Sequence, residues 1–139
     1  MPVEVHIVTP EREVWTGTAE MLIARGVDGE VGILGGHAPL LVQLAIGPLK
    51  INREDGSSVR AVIDGGFLHV GTHEGVTRAD VLAAQAQMAD EVDVEAARAR
   101  AAALTDQLAQ GRDAERAEAE IEQVKAELQK AQARINLAS

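Results

Sequence analysis

The chain has 139 residues, enough for one domain or two small ones, and it contains no cysteine, which excludes disulfides and thiolate metal sites. Its formal charge of −9 argues against the phosphate backbone of a nucleic acid as a partner. Its longest apolar-leaning run, residues 38–49, is far shorter than the roughly 20 residues that span a bilayer, and the N-terminus lacks the basic start and apolar core of a signal peptide. We therefore expect a soluble protein of a reducing compartment that meets a membrane only through partners.

The first half of the chain is predicted to form short β-strands. Val3, Val5 and Ile7 alternate with polar residues, which is the period of a strand with one buried face. Glycine-containing turn segments separate the further apolar runs. These runs, each predicted as a strand, are residues 21–23, 31–34, 40–46, 49–51, 59–63 and 67–70. Regular spacing of short strands is typical of a β-sandwich or flattened barrel, and with only one Trp and one Phe its core must consist of Val, Ile and Leu.

Within this half, the stretch GEVGILGGHAPLL, Gly29–Leu41, places four glycines and a histidine between apolar residues. A phosphate-binding loop requires Lys followed by Ser or Thr at the start of a helix, whereas Pro39 here disfavours a helical conformation at Ala38. The stretch therefore predicts an exposed loop rather than an anion site. Two interpretations of His37 remain open: its ring bonds its own loop, or the loop presents it to a partner.

The second half of the chain predicts two helices, with Gly111 as the only helix breaker among Ala, Glu, Arg and Gln. Apolar residues recur there at steps of three and four with charged flanks, which indicates amphipathic helices packed along a seam. The seam is Val94, Ala97, Ala101, Leu104 and Leu108 in the first helix and Ala117, Ile121, Val124 and Leu128 in the second. Asp93 and Asp113 are suited to cap the two helices.

Together the two halves predict an α+β fold with two domains. Residues 1–88 form the β-sandwich or flattened barrel, and residues 89–139 form a C-terminal antiparallel two-helix hairpin. The seam is rich in alanine, and a buried Ala stabilises much less than a Leu at about 25 cal/mol per Å² of buried apolar surface. Two interpretations follow: a permanent, closely packed pair of helices, which composition alone favours, or a hairpin that detaches and pairs with another helix.

No catalytic residue or metal site is predicted. Serine occurs only at positions 57, 58 and 139, in a turn and at the C-terminus, which disfavours a Ser-His arrangement. The four histidines do not fall at a ligand spacing, because His69 and His73 lie in a predicted strand and turn rather than on one face of a helix. An enzyme that uses the histidines would require bound metal, and we expect none.

Several segments, taken together, resemble the epsilon subunits of F-type ATP synthases. They are EREVWTG, GEVGILGGHAPLL, AIGPLKI and DGGFLHV in the first half and KAELQKAQARI at the end of the hairpin. The resemblance implies a non-catalytic subunit of the rotating central stalk, which links the gamma subunit to the ring of c subunits. It also implies a peripheral position at the cytoplasmic face of the bacterial inner membrane, with membrane contact only through partners and no nucleic-acid partner.

The resemblance also implies roles for particular residues. Glu30, Gly36 and His37 would face the c-ring, and Gly35 stands where the family usually has proline. The hairpin would have two arrangements. When folded on the sandwich it permits ATP hydrolysis, and when extended along gamma into the catalytic alpha/beta head it blocks rotation. A two-state element needs a small free-energy gap, so the resemblance favours the detachable hairpin over the permanent pair.

In some bacterial members of the family that this chain resembles, the hairpin binds ATP through an Ile/Leu-Asp-x-x-Arg-Ala motif and arginines of the second helix. Here Asp93 matches the motif, but Ala96 stands at its arginine position. Arg98 lies a half-turn further on, and Lys130 and Arg134 fall where the second-helix arginines would be. Losing an arginine removes a charge-assisted phosphate contact worth roughly 1.5–3 kcal/mol, so we expect weak ATP binding at most and no resident cofactor. A nucleotide-sensing module, whose hairpin binds ATP, is the alternative function.

Overall fold

Strands built on alternating inward and outward side chains form the first of two units in the computed structural model, which describes residues 1–111 and 118–137. This unit, Met1–Glu91, contains eight strands. They are β1 (Val3–Val8), β2 (Glu13–Ala19), β3 (Met21–Gly26), β4 (Gly29–Leu34), β5 (Leu40–Asn52), β6 (Ser58–His73), β7 (Val76–Ala83) and β8 (Ala86–Met88). The second unit, Val92–Ser139, contains the helices α1 (Val94–Gly111) and α2 (Glu118–Leu137). The predicted α+β fold, a β-sandwich followed by two helices, is confirmed.

The strands are hydrogen-bonded in the order β2-β1-β7-β6-β5-β3-β4, and β8 pairs with β6. Every neighbouring pair is antiparallel except β1 with β7, which run parallel. The strands at the two ends of this order, β2 and β4, are therefore edge strands. Their position matters for function, because an edge strand leaves one row of backbone N–H and C=O groups without strand partners.

The long strands β5 and β6 connect the two layers of the sandwich. Their ladder omits the facing pair Ala45 and Gly65 but keeps the same register on both sides, and the positive φ angles of Gly65 and Gly66 bend β6 at this point. Beyond the bend β6 pairs with β7, and before it β6 pairs with β8. The sequence prediction divided each long strand into two short ones, which was wrong, because the Gly and Pro residues between the predicted pieces lie inside continuous strands.

Three strands were not predicted from sequence, namely β2, β7 and β8. In β7 the inward positions are small or polar, such as Thr77 and Ala79, so the apolar alternation is weak although both side chains are buried. In edge strand β2 only Ala19 is buried, so the strand lacks a strong apolar pattern. The core contains the predicted Val, Ile and Leu, and also several alanines and Met88, whereas Phe67 lies outside it.

A short 3-10 turn at Ala89–Glu91 closes the first unit. The Glu91 carboxylate accepts a hydrogen bond from the Met88 N–H at 3.3 Å and pairs with the Arg12 guanidinium at 3.0 Å. These contacts tie the turn to the strands, and the division between the units falls after Glu91, whereas the sequence placed it at residue 88. Among the described residues, neither helix is sufficiently long and apolar to cross a bilayer.

The bend of β6 depends on glycine at position 66. Gly66 has a φ of +141°, and a Cβ built there would overlap the carbonyl oxygen of Leu82 and lie 2.8 Å from the Ala83 Cα. Both atoms belong to the backbone of β7, which cannot move aside without breaking its ladder with β6. Gly56, in the turn between β5 and β6, also has a positive φ of +87°, but a Cβ there meets nothing within 4 Å.

We expect Gly66→Ala to lower the free energy of unfolding by about 2–4 kcal/mol, because it combines a strained φ with backbone overlap. The matched control Gly56→Ala carries the strained φ alone and should cost about 1–2 kcal/mol. Urea unfolding followed by the fluorescence of Trp15, the only tryptophan, measures both values on the full chain. Equal losses for the two variants would show that the close approach of β6 and β7 is not the constraint.

Candidate functional site

A tight turn follows edge strand β4 and carries two of the predicted docking residues, Gly36 and His37. The His37 N–H donates to the Leu34 carbonyl oxygen at 3.1 Å, which closes a four-residue turn. Gly36, at the third position, has a φ of +83°, whereas the φ of Gly35 is not positive, so the turn is of type II. That position strongly favours glycine, which explains the residue at 36 without a phosphate ligand. We call Leu34–His37 the docking turn.

Two contacts from other parts of the first unit hold the docking turn. The Gly36 N–H donates to Oγ1 of Thr77 at 2.7 Å, and Thr77 is only 3% exposed. On the opposite side, a Cβ on Gly35 would overlap the carbonyl oxygen of Met1 and lie 2.7 Å from the Met1 Cβ. A proline at position 35 would therefore require the Met1 backbone to move.

The ring of His37 bonds its own loop, as the first of the two interpretations of this residue predicts. Its Nδ1 lies 2.7 Å from the carbonyl oxygen of the next residue, Ala38. Because a carbonyl oxygen only accepts hydrogen bonds, Nδ1 carries the proton in this contact. The bond orients the ring and does not use Nε2, so His37 can bond its own loop and still offer an acceptor to a partner.

Glu30 does not lie beside His37, although the family resemblance implies that both face the c-ring. It is exposed near the start of β4, in register with Arg25 of β3, whereas the docking turn begins where β4 ends. At about 3.3 Å per residue, four residues of strand place roughly 13 Å between Glu30 and Leu34. The predicted docking residues therefore lie at opposite ends of the edge strand.

A groove beside Glu30 adds residues that the sequence did not single out. It has a volume of about 370 Å³ and lies between the β3–β4 hairpin and the start of β5. Asp28 and Glu30 give it negative charge, and the exposed side chains of Val27 and Leu41 give it apolar surface. Sequence spacing alone does not bring Leu41 next to this hairpin, because their proximity depends on the pairing of β3 with β5.

An exposed apolar row crosses the outer face of the layer that contains β7. Phe67 of β6 is 48% exposed and lies in register with Leu82 of β7, which is 50% exposed. Val8 of β1, which is partly covered, continues the row beside Leu82, and Gln43 of β5 lies on the other side of Phe67. We call Val8, Phe67 and Leu82 the apolar row. The signal in the sequence was the alternation of Phe67 with buried Leu68, which turns Phe67 outward.

A charged row runs next to the apolar row. His6 has Nε2 at 2.8 Å from Glu4 and Nδ1 at 3.2 Å from Glu13, and it lies in register with Asp80 of β7. A hydrogen bond from the Thr16 hydroxyl, and then the contact with His6, lower the pKa of the Glu13 carboxyl. Because that pKa is lowered in the fold, the stabilisation it represents is present at neutral pH and is lost on acidification below the usual range of a glutamate.

The described surface carries no recognisable catalytic centre. Within residues 1–111 and 118–137, no three His, Asp or Glu side chains are grouped so that they could hold a metal ion. His69 is exposed in β6, in register with Asp80, and His73 lies at the end of the same strand. The surface thus offers rows and edges for contact rather than an enclosed pocket for chemistry.

The hairpin seam buries few side chains. In α1, Ala97 and Leu104 are buried, while Val94, Ala101 and Leu108 are only partly covered. In α2, Ile121, Val124 and Leu128 are partly covered, and the buried residues are Ala131 and Leu137. The predicted seam residue Ala117 and the predicted cap Asp113 lie outside the described residues. Two of the four buried side chains are alanines, so the apolar area removed from water is small.

The four residues predicted for a weak ATP site are each engaged inside their own helix. Asp93 caps α1 by accepting the Ala96 N–H at 3.0 Å, and Arg98 pairs with a neighbouring glutamate at 2.9 Å. Lys130 pairs in the same way at 3.1 Å, and Arg134 donates to the Lys130 carbonyl oxygen at 2.9 Å. Phosphate binding would have to compete with these contacts.

An open groove of about 590 Å³ lies on the hairpin, but none of those four residues lines it. Its walls are residues such as Ala101 and Thr105 of α1 and Lys125 and Gln129 of α2. Lys125 faces Glu122 at 3.4 Å, and the hydroxyl of Thr105 donates to the Ala101 carbonyl oxygen at 2.8 Å. The groove therefore lacks the cluster of free cations that a triphosphate requires.

Comparison with known proteins gives matches along most of the chain. The model of the family described as ATP synthase, Delta/Epsilon chain, beta-sandwich domain matches residues 2–89. The ATP synthase epsilon chain of Frankia casuarinae is 49% identical over 77 residues, which are 55% of this chain and 89% of that protein. The ATP synthase epsilon chain of Streptomyces avermitilis is 35% identical over 129 residues, 91% of this chain and 85% of that protein.

A solved structure is similar over nearly the whole chain. A chain in the OSCP/F1/c-ring structure of the Euglena gracilis mitochondrial ATP synthase superposes with a TM-score of 0.79 at 24% identity. The superposition covers 99% of this chain and 82% of that one. At this identity the likeness establishes the fold alone.

We expect the full chain to bind ATP with a Kd weaker than about 1 mM, because its candidate cations are already paired. Ala96→Arg should tighten binding at least about tenfold, since a charge-assisted phosphate contact is worth roughly 1.5–3 kcal/mol. Isothermal titration of both proteins with ATP measures the difference. The control Ala102→Arg adds the same charge at another exposed position of α1. Micromolar binding by the unchanged chain, or equal gains from both substitutions, would contradict this account.

Proposed function

This chain belongs to the ATP synthase delta/epsilon chain family, and we propose that it works in the central stalk, where it links the gamma subunit to the c-ring and restrains ATP hydrolysis. As an ATP synthase epsilon chain, it is an accessory subunit and not a catalytic one. The observation that carries the proposal is the family match over residues 2–89, which includes both the docking turn and the apolar row. The proposed location is the cytoplasmic face of the bacterial inner membrane, with membrane contact only through partners.

The apolar row is the proposed contact with the gamma subunit. Phe67 and Leu82 are neighbours on adjacent strands and about half exposed. Large apolar side chains that adjoin on a surface commonly mark a protein interface, because covering them removes apolar area from water. His6, Glu13 and Asp80 lie alongside and supply the polar rim that such an interface usually has.

The edge strand β4 and the docking turn are the proposed contact with the c-ring. The residues that the family resemblance assigns to the c-ring are Glu30, near the start of β4, and Gly36 and His37, in the turn that follows it. Asp28 and Glu30 provide negative charge for basic loop residues of a ring, and the groove residues Val27 and Leu41 add apolar contact. Gly36 has no side chain, so a partner loop can approach its backbone closely.

The helical hairpin is the proposed brake on hydrolysis. Its described residues include only four buried side chains, two of them alanines, so separating α1 from α2 exposes little apolar area. An element with a small free-energy gap between two arrangements is suited to switching, here between a folded hairpin and one extended into the catalytic alpha/beta head. The alternative of an ATP-sensing module is disfavoured, because the four candidate ATP-binding residues already form contacts within their own helices. These residues are Asp93, Arg98, Lys130 and Arg134.

We expect Leu82→Glu to weaken binding of the full chain to a gamma-containing catalytic head by at least about tenfold. Burying a leucine is worth about 1.5–3 kcal/mol, and the variant would bury a charge in its place. The matched control is Val76→Glu, which changes an exposed apolar residue at the start of the same strand. Surface plasmon resonance measures both, and unchanged Trp15 fluorescence verifies the fold. Native affinity for Leu82→Glu would remove the apolar row from the gamma interface.

Truncation after Glu91, which retains the contacts with Arg12 and Met88, tests the brake. ATP hydrolysis is measured for a cognate catalytic head that lacks this subunit, after adding back either the full chain or the truncated one. We expect both to bind and only the full chain to slow hydrolysis. If neither changes the rate while both bind, the chain is a structural coupler and the hairpin is not a brake.

A further inference from the structure

Thr77 and Gly36 connect two parts of the first unit that lie 41 residues apart. The Gly36 N–H donates to the Thr77 hydroxyl oxygen at 2.7 Å, a normal length for a strong hydrogen bond. The internal bond of the docking turn uses the His37 N–H instead, so it leaves the Gly36 N–H to be satisfied from outside the turn. Thr77 provides that acceptor.

Thr77 is held more firmly than the turn that it contacts. Strand β7 lies between β1 and β6, and Thr77 is in register with Val3 on one side and Thr72 on the other. The docking turn, in contrast, follows edge strand β4, which pairs only with β3. The hydrogen bond therefore fixes a turn at the edge of the sheet to a strand within it.

From this geometry we infer that Thr77 is a positioning residue that holds the docking turn in the conformation in which it meets its partner. The inference rests on the proposed role of this turn in binding the c-ring. Gly35 and Gly36 are adjacent glycines with large conformational freedom, so the turn without this bond samples other conformations. A binding site that is competent only part of the time has its affinity reduced by the competent fraction.

The test compares three substitutions in the full chain. Thr77→Val keeps the shape of the side chain and removes the hydroxyl. Thr77→Ser and Thr77→Ala differ from each other only by that hydroxyl oxygen, so this pair decides the question even if the valine variant does not fold. Amide hydrogen exchange of Gly36 is measured by NMR, with the amide of Ile51 as a core reference because Ile51 is fully buried in β5.

We expect exchange at Gly36 to rise about three- to tenfold in Thr77→Val and Thr77→Ala but not in Thr77→Ser, with exchange at Ile51 unchanged. A role in stability alone would change both amides together. Equal exchange at Gly36 in the serine and alanine variants would overturn the inference, because the hydroxyl would then not hold the turn.

The second readout is the affinity of each variant, bound to the gamma subunit, for detergent-solubilised c-ring. We expect a loss of about three- to tenfold for Thr77→Ala relative to Thr77→Ser, in parallel with exchange at Gly36. If exchange rises but the affinity is unchanged, positioning for docking is overturned although the hydrogen bond is real. If the wild-type complex does not bind the c-ring at all, the proposed function fails instead.

Discussion

The ladder between β5 and β6 is the interaction on which the rest of the first unit depends, since these two strands run through both layers of the sandwich. The ladder pairs residues from Leu40 to Asn52 with residues from Val70 back to Ser58, interrupted only at its bend. At that bend Gly66 approaches the backbone of β7 so closely that a side chain has no space. Residues of both strands belong to the core of Val, Ile, Leu and Ala that the layers enclose.

The proposed contact surfaces follow from the order of strands around that ladder. The strands β1, β6 and β7 are interior to the sheet, so side chains directed outward from them form a firm face, on which Phe67 and Leu82 lie exposed. Strand β4 is at an edge, so its backbone and the docking turn are accessible from the side. The outer face of these interior strands is suited to broad apolar contact with a long partner. The sheet edge at β4, with its glycine turn, is suited to close approach by a partner loop.

The two units differ in how many side chains each one buries in its own interior. The first unit has a core in which Val3, Ile7, Leu22 and many others are fully buried. The described part of the hairpin buries only Ala97, Leu104, Ala131 and Leu137, and its charged residues form contacts within each helix. The cap of α1 and the ion pairs of both helices are local, so they do not depend on the contact between α1 and α2. This difference in packing supports the proposed role of the hairpin as a brake.

The sequence by itself determined the order of a β-sandwich and a helical hairpin, because periods of two and of 3.6 residues are local properties of the chain. It also carried the motif Gly29–Leu41 and hence the family. Tertiary structure alone decided that β5 and β6 are continuous, that Glu30 and His37 lie at opposite ends of one strand, and that Thr77 meets Gly36. Those facts depend on pairings between distant segments, and a side chain such as Thr77, small and polar in a buried row, gives no local sign of its partner. Phe67 depends on both local and tertiary information. Its alternation with Leu68 is local and turns its side chain outward, whereas the register with Leu82, which makes it part of an apolar surface, arises only from strand pairing.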